Sequence, residues 1–139
     1  MSVRTLEADF LVVGAGAMGM AFADEVLASD PQAEVVLIDR RARPGGHWND
    51  AYSFVSLHQP AAYYGVNSLP LGRGGAALAS GSEVLAYYEQ VLGRLTATGR
   101  LRFLPLCEFS GGERFRSLVE PDDEVSAVSY THLTLPTKA

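Results

Sequence analysis

The residues best suited to chemistry stand within the first forty positions. Gly14-Ala15-Gly16-Ala17-Met18-Gly19 spells G-x-G-x-x-G. The first glycine permits a tight turn from strand to helix. The second lets a diphosphate approach the main chain with no Cβ in the way, and the third lets helix and strand pack closely. Phosphates held there face free N–H groups at the positive end of the helix dipole. Asp39 follows Gly19 by 20 residues, where an acidic side chain accepts hydrogen bonds from adenosine ribose hydroxyls. The same carboxylate repels a 2′-phosphate, which disfavours NADP at this place. Arg40 and Arg41 act in the other direction, since arginine holds phosphate or stacks on adenine. The plainer alternatives are an ordinary glycine turn and a solvated strand end. The expected chemistry is binding of an ADP-containing dinucleotide. No Ser-His-Asp or Cys-His arrangement stands out, so no side chain is assigned as a catalytic acid or base.

These residues need a strand, a helix and a second strand to position them. Asp9-Phe10-Leu11-Val12-Val13 is a short apolar run ending at glycine, as suits a strand buried on both faces of a parallel sheet. Ala17 to Leu27 are good helix formers, with Met18, Ala21, Phe22, Val26 and Leu27 expected on one side and Asp30-Pro31 closing the helix. Glu34-Val35-Val36-Leu37-Ile38-Asp39 is a second buried strand. Strand, helix and strand in about 30 residues form the βαβ unit. The fold class is therefore α/β: a Rossmann-type βαβ dinucleotide-binding domain with a parallel sheet, incomplete, plus a small β-hairpin segment.

Residues 40 to 81 read as a long irregular segment rich in glycine and proline; such connections are uncommon unless functional. Ser80 to Thr98 reads as a helix, with Ser80 and Glu83 or Ser82 alone as its cap and Gly99 at its end. Its apolar stripe is Val84, Leu85, Tyr88, Val91, Leu92 and Leu95. Leu101 to Leu104 is a third strand, and Cys107 to Val119 a hairpin around Gly111-Gly112.

Composition narrows the class. The chain has 139 residues, 47% hydrophobic and 19% charged, enough to bury the core of one domain. A net charge of −5 and a pI of about 5.1 argue against nucleic acid or anionic membrane as partners. One cysteine, Cys107, excludes an internal disulfide and any multi-cysteine metal site. The first residues carry no signal-like apolar run, and no window is long and apolar enough to span a bilayer. A cytoplasmic location is the expectation.

The segment after Asp39 separates FAD from NAD. Arg43-Pro44-Gly45-Gly46-His47-Trp48 places Gly-Gly-x-Trp a few residues beyond the acidic strand end. Over roughly residues 8 to 60 this resembles the flavin-containing and Baeyer–Villiger monooxygenases. The resemblance implies FAD contacts at Gly14, Gly16, Gly19, Asp39, Gly46 and Trp48. Ala15, Ala17, Met18, Arg40 and His47 lie within the same two segments and join the expected cofactor-binding set. His58, in Leu57-His58-Gln59-Pro60, lies where the family carries a polar segment near the flavin; a loop histidine with a structural hydrogen bond is the alternative, as it is for His47. Trp48 as a core aromatic and Cys107 as a buried inert thiol are weighed in the same way. The resemblance further implies that NADPH reduces the flavin and that the reduced flavin activates O2. The family's second glycine motif, which binds NADPH, and its Phe-Gly-His motif are absent, so NADPH is expected only in a longer parent. The rivals are an FAD-dependent pyridine-nucleotide oxidoreductase or amine oxidase, a non-catalytic dinucleotide-binding fragment, and an NAD-dependent dehydrogenase. The last does not call for Gly-Gly-x-Trp.

The final residues look foreign. Val128-Ser129-Tyr130-Thr131-His132-Leu133-Thr134-Leu135-Pro136-Thr137 can be written as the codons GTC TCT TAT ACA CAT CTG ACG CTG CCG ACG, a string that looks like an adapter of transposon-based sequencing libraries. Residues 1–127 are accordingly read as a partial FAD-binding domain and 128–139 as an artefactual tail. A natural apolar strand is the alternative.

Overall fold

The computed structural model describes residues 3–50, 65–70, 80–120, 124–128 and 133–136. In chain order its elements are β1 (Val3–Glu7), β2 (Phe10–Val13), α1 (Ala17–Ser29), β3 (Val35–Ile38), a 3-10 turn (Gly46–Asp50), β4 (Gly65–Val66) and β5 (Leu69–Pro70). They continue with α2 (Gly81–Ala97), β6 (Leu101–Leu104), β7 (Cys107–Gly111), β8 (Arg114–Ser117), β9 (Glu124–Val128) and β10 (Leu133–Pro136).

A parallel sheet runs in the order β10-β2-β3-β6. Its side chains alternate between faces, as the period of two requires. Val12, Val35 and Leu37 point to the side covered by α1 and α2, where Met20, Ala23, Leu27, Val84, Tyr88 and Val91 complete one core. Leu11, Val36 and Ile38 point to the other side and meet Cys107, Phe115 and Val125. Those last residues belong to a second sheet, β1-β9-β8-β7, antiparallel except where β1 runs parallel to β9. The result is three layers: helices, parallel sheet, mixed sheet. β3 is buried along its whole length because both faces are covered.

The βαβ unit, α2, β6 and the hairpin around Gly111-Gly112 lie where the sequence places them. The segment 40–81, expected to be irregular, carries the short β4–β5 hairpin, and two further features differ. Met18 and Ala21 face solvent, and Gly19, Met20, Ala23, Asp24 and Leu27 form the buried side of α1. Nearly every early position of α1 is apolar or small, so periodicity alone could not orient it. The small residues Gly19 and Ala23, one turn apart, decide the matter because they let the helix lie close to the sheet. The expected hairpin also extends into a four-stranded sheet through β9 and β1, which composition did not announce. In the tail, the backbone of β10 pairs in parallel with β2, Leu133 opposite Phe10.

The far end of α1 is closed from a distance. The Arg100 guanidinium donates to the carbonyls of Leu27 (2.8 Å), Asp30 (2.8 Å) and Ala33 (3.0 Å). Cations at a helix C-terminus also suit its dipole.

Candidate dinucleotide site

The strand β2 ends at Gly14, whose φ of +101° turns the chain towards α1 while its N–H still donates to the Ile38 carbonyl at 2.7 Å. Gly16 is the N-cap, with no side-chain hydrogen bond and no acidic residue in the first turn. The first intrahelical bond runs from the Met20 N–H to the Gly16 carbonyl, at 3.0 Å. The N–H groups of Ala17, Met18 and Gly19 therefore precede the helix's own ladder. The third glycine is compulsory: a Cβ at Gly19 would sit 1.9 Å from the Gly14 carbonyl oxygen.

Asp39 lies beside this loop and is 4% exposed, so it is not a solvated strand end. One carboxylate oxygen accepts from the Ala15 N–H at 2.6 Å and the other from the Arg41 N–H at 2.7 Å. A cavity of about 360 Å³ opens at this corner, lined by Gly14, Ile38, Asp39, Arg40, Cys107 and Phe109 among others. Arg40 is exposed and Arg41 half-buried. Cys107 is buried, and its N–H donates to the Asp39 carbonyl at 2.9 Å. The corner thus joins the glycine turn at Gly14, a carboxylate and two arginines around one opening.

The Gly45-Gly46 segment returns to the same loop. The Gly45 N–H donates to the Ala15 carbonyl at 2.8 Å. Gly45 has φ +113°, and a Cβ there would meet Leu85 at 2.6 Å. Trp48 packs partly buried against the helix-side core. The indole thus contributes to packing, as one of its two expected roles. The His47 side chain and all of His58 lie outside the described residues. The structure therefore brings together Gly14 to Gly19, Asp39, Arg40 and Gly46.

Sequence reasoning missed Asn49, whose side-chain amide donates to the carbonyls of Pro44 (3.2 Å) and Gly46 (2.9 Å) and so holds the glycine turn. It also missed a clasp on the helix side. Asp24 on α1 is 3% exposed and accepts from the N–H (3.2 Å) and hydroxyl of Ser68. The Tyr87 hydroxyl on α2 accepts from the Val66 N–H at 2.7 Å and donates to the Leu69 carbonyl. Together they fasten the β4–β5 hairpin across both helices. Burial raises the Tyr87 phenol above its ordinary value; the Val66 N–H pulls it down and the Asp24 charge pushes it up. An aspartate among the apolar residues of α1 was the available signal.

Comparison with known proteins agrees with this geometry. Residues 12–90 match the model of the NAD(P)-binding Rossmann-like domain. The chain belongs to that family. It is also 50% identical over 126 residues, 83% of its length, to an uncharacterized protein of Mycobacterium tuberculosis, of which it covers 23%. A probable FAD-binding monooxygenase of Acinetobacter baylyi is 29% identical over 97 residues, 68% of this chain and 19% of that protein. The chain thus spans about a quarter or less of these relatives' length. Among solved structures, a flavin-containing monooxygenase from Stenotrophomonas maltophilia superposes with a TM-score of 0.66 at 27% identity, covering 91% of this chain and 38% of that one. The resemblance to flavin monooxygenases seen in the glycine and Gly-Gly-x-Trp motifs therefore holds at the level of whole-domain sequence and fold. No described helix is long and apolar enough to cross a membrane.

Proposed function

We propose that this chain binds FAD through its ADP half, as the nucleotide-binding part of a flavin-dependent, NAD(P)H-using oxidoreductase of the monooxygenase type. One observation carries the reading: the start of α1 has neither a capping side chain nor an acid, and the turn that leads into it, at Gly14, lines the same cavity as Asp39. That arrangement fits the cofactor. The amides of Ala17, Met18 and Gly19 suit the diphosphate, and Asp39 retains acceptor capacity for ribose hydroxyls because a carboxylate offers about four lone-pair sites. Arg40 stands at the cavity where an adenine ring can be covered. Gly46, His47, Trp48 and His58 are assigned to the flavin side on the family resemblance. When bound, FAD supplies the electron transfer between a reduced nicotinamide, O2 and substrate; the protein's part is binding, orientation and exclusion of water.

The likeness to a probable FAD-binding monooxygenase and to a flavin-containing monooxygenase supports the oxygenase form. NADPH is assigned to a longer parent, and the setting to the cytoplasm. The segment from Val128 onward is proposed as read-through, which sequencing of the locus from an intact genomic clone decides.

The test is the visible spectrum of the purified chain. Flavin bands are expected, and Gly16→Val should remove them because its side chain enters the diphosphate position. Flavin content unchanged in that variant would remove the loop from the site.

A further inference from the structure

We propose that Asp39 is a positioning residue for the phosphate loop: it holds the loop in its ligand-ready shape before any nucleotide arrives. This task is separate from the ribose role, and the hydrogen bonds of the carboxylate point to it. Both carboxylate oxygens are engaged by main-chain donors, the Ala15 N–H at 2.6 Å and the Arg41 N–H at 2.7 Å. The Ala15 N–H lies outside the helical ladder, and Ala15 is fully buried. Without the carboxylate that amide becomes an unsatisfied buried donor. The Ala15 carbonyl is held as well, by the Gly45 N–H at 2.8 Å. One residue of the loop is thus tied to the end of β3 and to the Gly45-Gly46 turn. Drawing the Ala15 amide towards Asp39 leaves the next amides, Ala17 to Gly19, at the open end of α1.

The chemistry selects a carboxylate. Two donors need two acceptors. An isosteric asparagine offers one oxygen and one NH2 group, so it can satisfy only one of the two amides and opposes the other. Asp39→Asn should therefore loosen the loop although it changes shape very little.

The ligand half of the test rests on the dinucleotide reading; the ligand-free half does not. In the full 139-residue chain without nucleotide, amide hydrogen exchange should show Ala15 protected. In Asp39→Asn its exchange should rise at least about tenfold, as loss of a charge-assisted hydrogen bond implies, while amides of α2 keep their protection. Equal Ala15 protection in both proteins overturns the proposal. If the variant does not fold, the unaltered chain still decides: an NMR coupling across the hydrogen bond from Ala15 nitrogen to the Asp39 carboxyl carbon is expected, and its absence is a refutation. Binding of ADP is then compared with binding of 2′,3′-dideoxy-ADP, which has the diphosphate but no ribose hydroxyls. A positioning role predicts that Asp39→Asn weakens dideoxy-ADP about tenfold and ADP by at least as much, the excess being the share of the ribose. Dideoxy-ADP bound equally by both proteins means that Asp39 serves the ribose alone. If the unaltered chain binds neither nucleotide, the dinucleotide reading fails, and the exchange result still stands or falls separately.

Discussion

Helix α2 begins at Ser80, whose hydroxyl accepts from the Glu83 N–H at 3.1 Å while the Glu83 carboxylate accepts from the Ser80 N–H at 3.1 Å. Helix α1 begins at Gly16 with no capping side chain and no acid in its first turn. Both helices pack on the same face of the same sheet, and both lie in one core. The reciprocal capping box meets the needs of α2 from within its own sequence. At α1 no described side chain plays the equivalent part. The same contrast returns at the other end of α1, where Arg100 reaches across from the strand side to close three carbonyls. A helix supported at its C-terminus and left open at its N-terminus is organised for a ligand; one closed by its own side chains is organised for stability.

The largest test of this contrast is Gly19→Ala. Its new Cβ would meet the Gly14 carbonyl oxygen at 1.9 Å, so α1 must move away from the strand. A stability loss of about 3 kcal/mol, read by urea denaturation, and loss of bound flavin are expected together. Next is Arg100→Ala, which releases the carbonyls of Leu27 in α1, Asp30 at its C-cap and Ala33 beyond it. About 2 kcal/mol should be lost, with flavin content retained once the protein is folded; a variant as stable as the parent would show that the distant cap is ornamental.

Tyr87→Phe tests the clasp between the two helices, with an expected loss of about 1 kcal/mol at neutral pH. Its pH dependence has a definite sign. The folded phenol titrates above the ordinary value of 10.0, so its neutral form is favoured by folding. That contribution is complete below the ordinary value and is lost as pH rises through the folded one. Denaturation midpoints of the parent should fall towards those of Tyr87→Phe across that alkaline window; parallel curves would contradict the assignment.

Ser80→Ala removes the α2 cap at about 1 kcal/mol, and cofactor affinity should not follow. Met18→Glu brings the sharpest contrast at the smallest stability change. Met18 is 69% exposed in the first turn of α1, and an acid there suits the helix dipole by about 0.3–1 kcal/mol. The variant should therefore melt slightly higher while flavin binding weakens through repulsion of the diphosphate. If both quantities move together, the open start of α1 is not where the phosphates sit.

The site was legible to unequal degrees. G-x-G-x-x-G between an apolar strand and a helix needs only local sequence, and so does an acid at the end of β3. Ser80 with Glu83 was readable for the same reason, since both partners lie within one turn. Met18 was misplaced because α1 is apolar on nearly every side near its start, and the buried stripe follows the approach of Gly19 to Gly14 rather than a hydrophobic pattern. Asn49, Arg100 and the Asp24–Ser68 and Tyr87–Val66 pairs were invisible because each acts on main-chain atoms or side chains distant in sequence.

Alternating and buried apolar runs, glycine spacing and capping residues determined the βαβ unit, the second helix and the position of the phosphate loop, because these depend on neighbours within a few residues. Tertiary structure decided the face of α1, the joining of β1 to β9, and the main-chain partners of the Asp39 carboxylate. Those depend on which main-chain donors and acceptors are brought together when the layers close, and hydrogen-bond partners separated by tens of residues leave no local pattern to read.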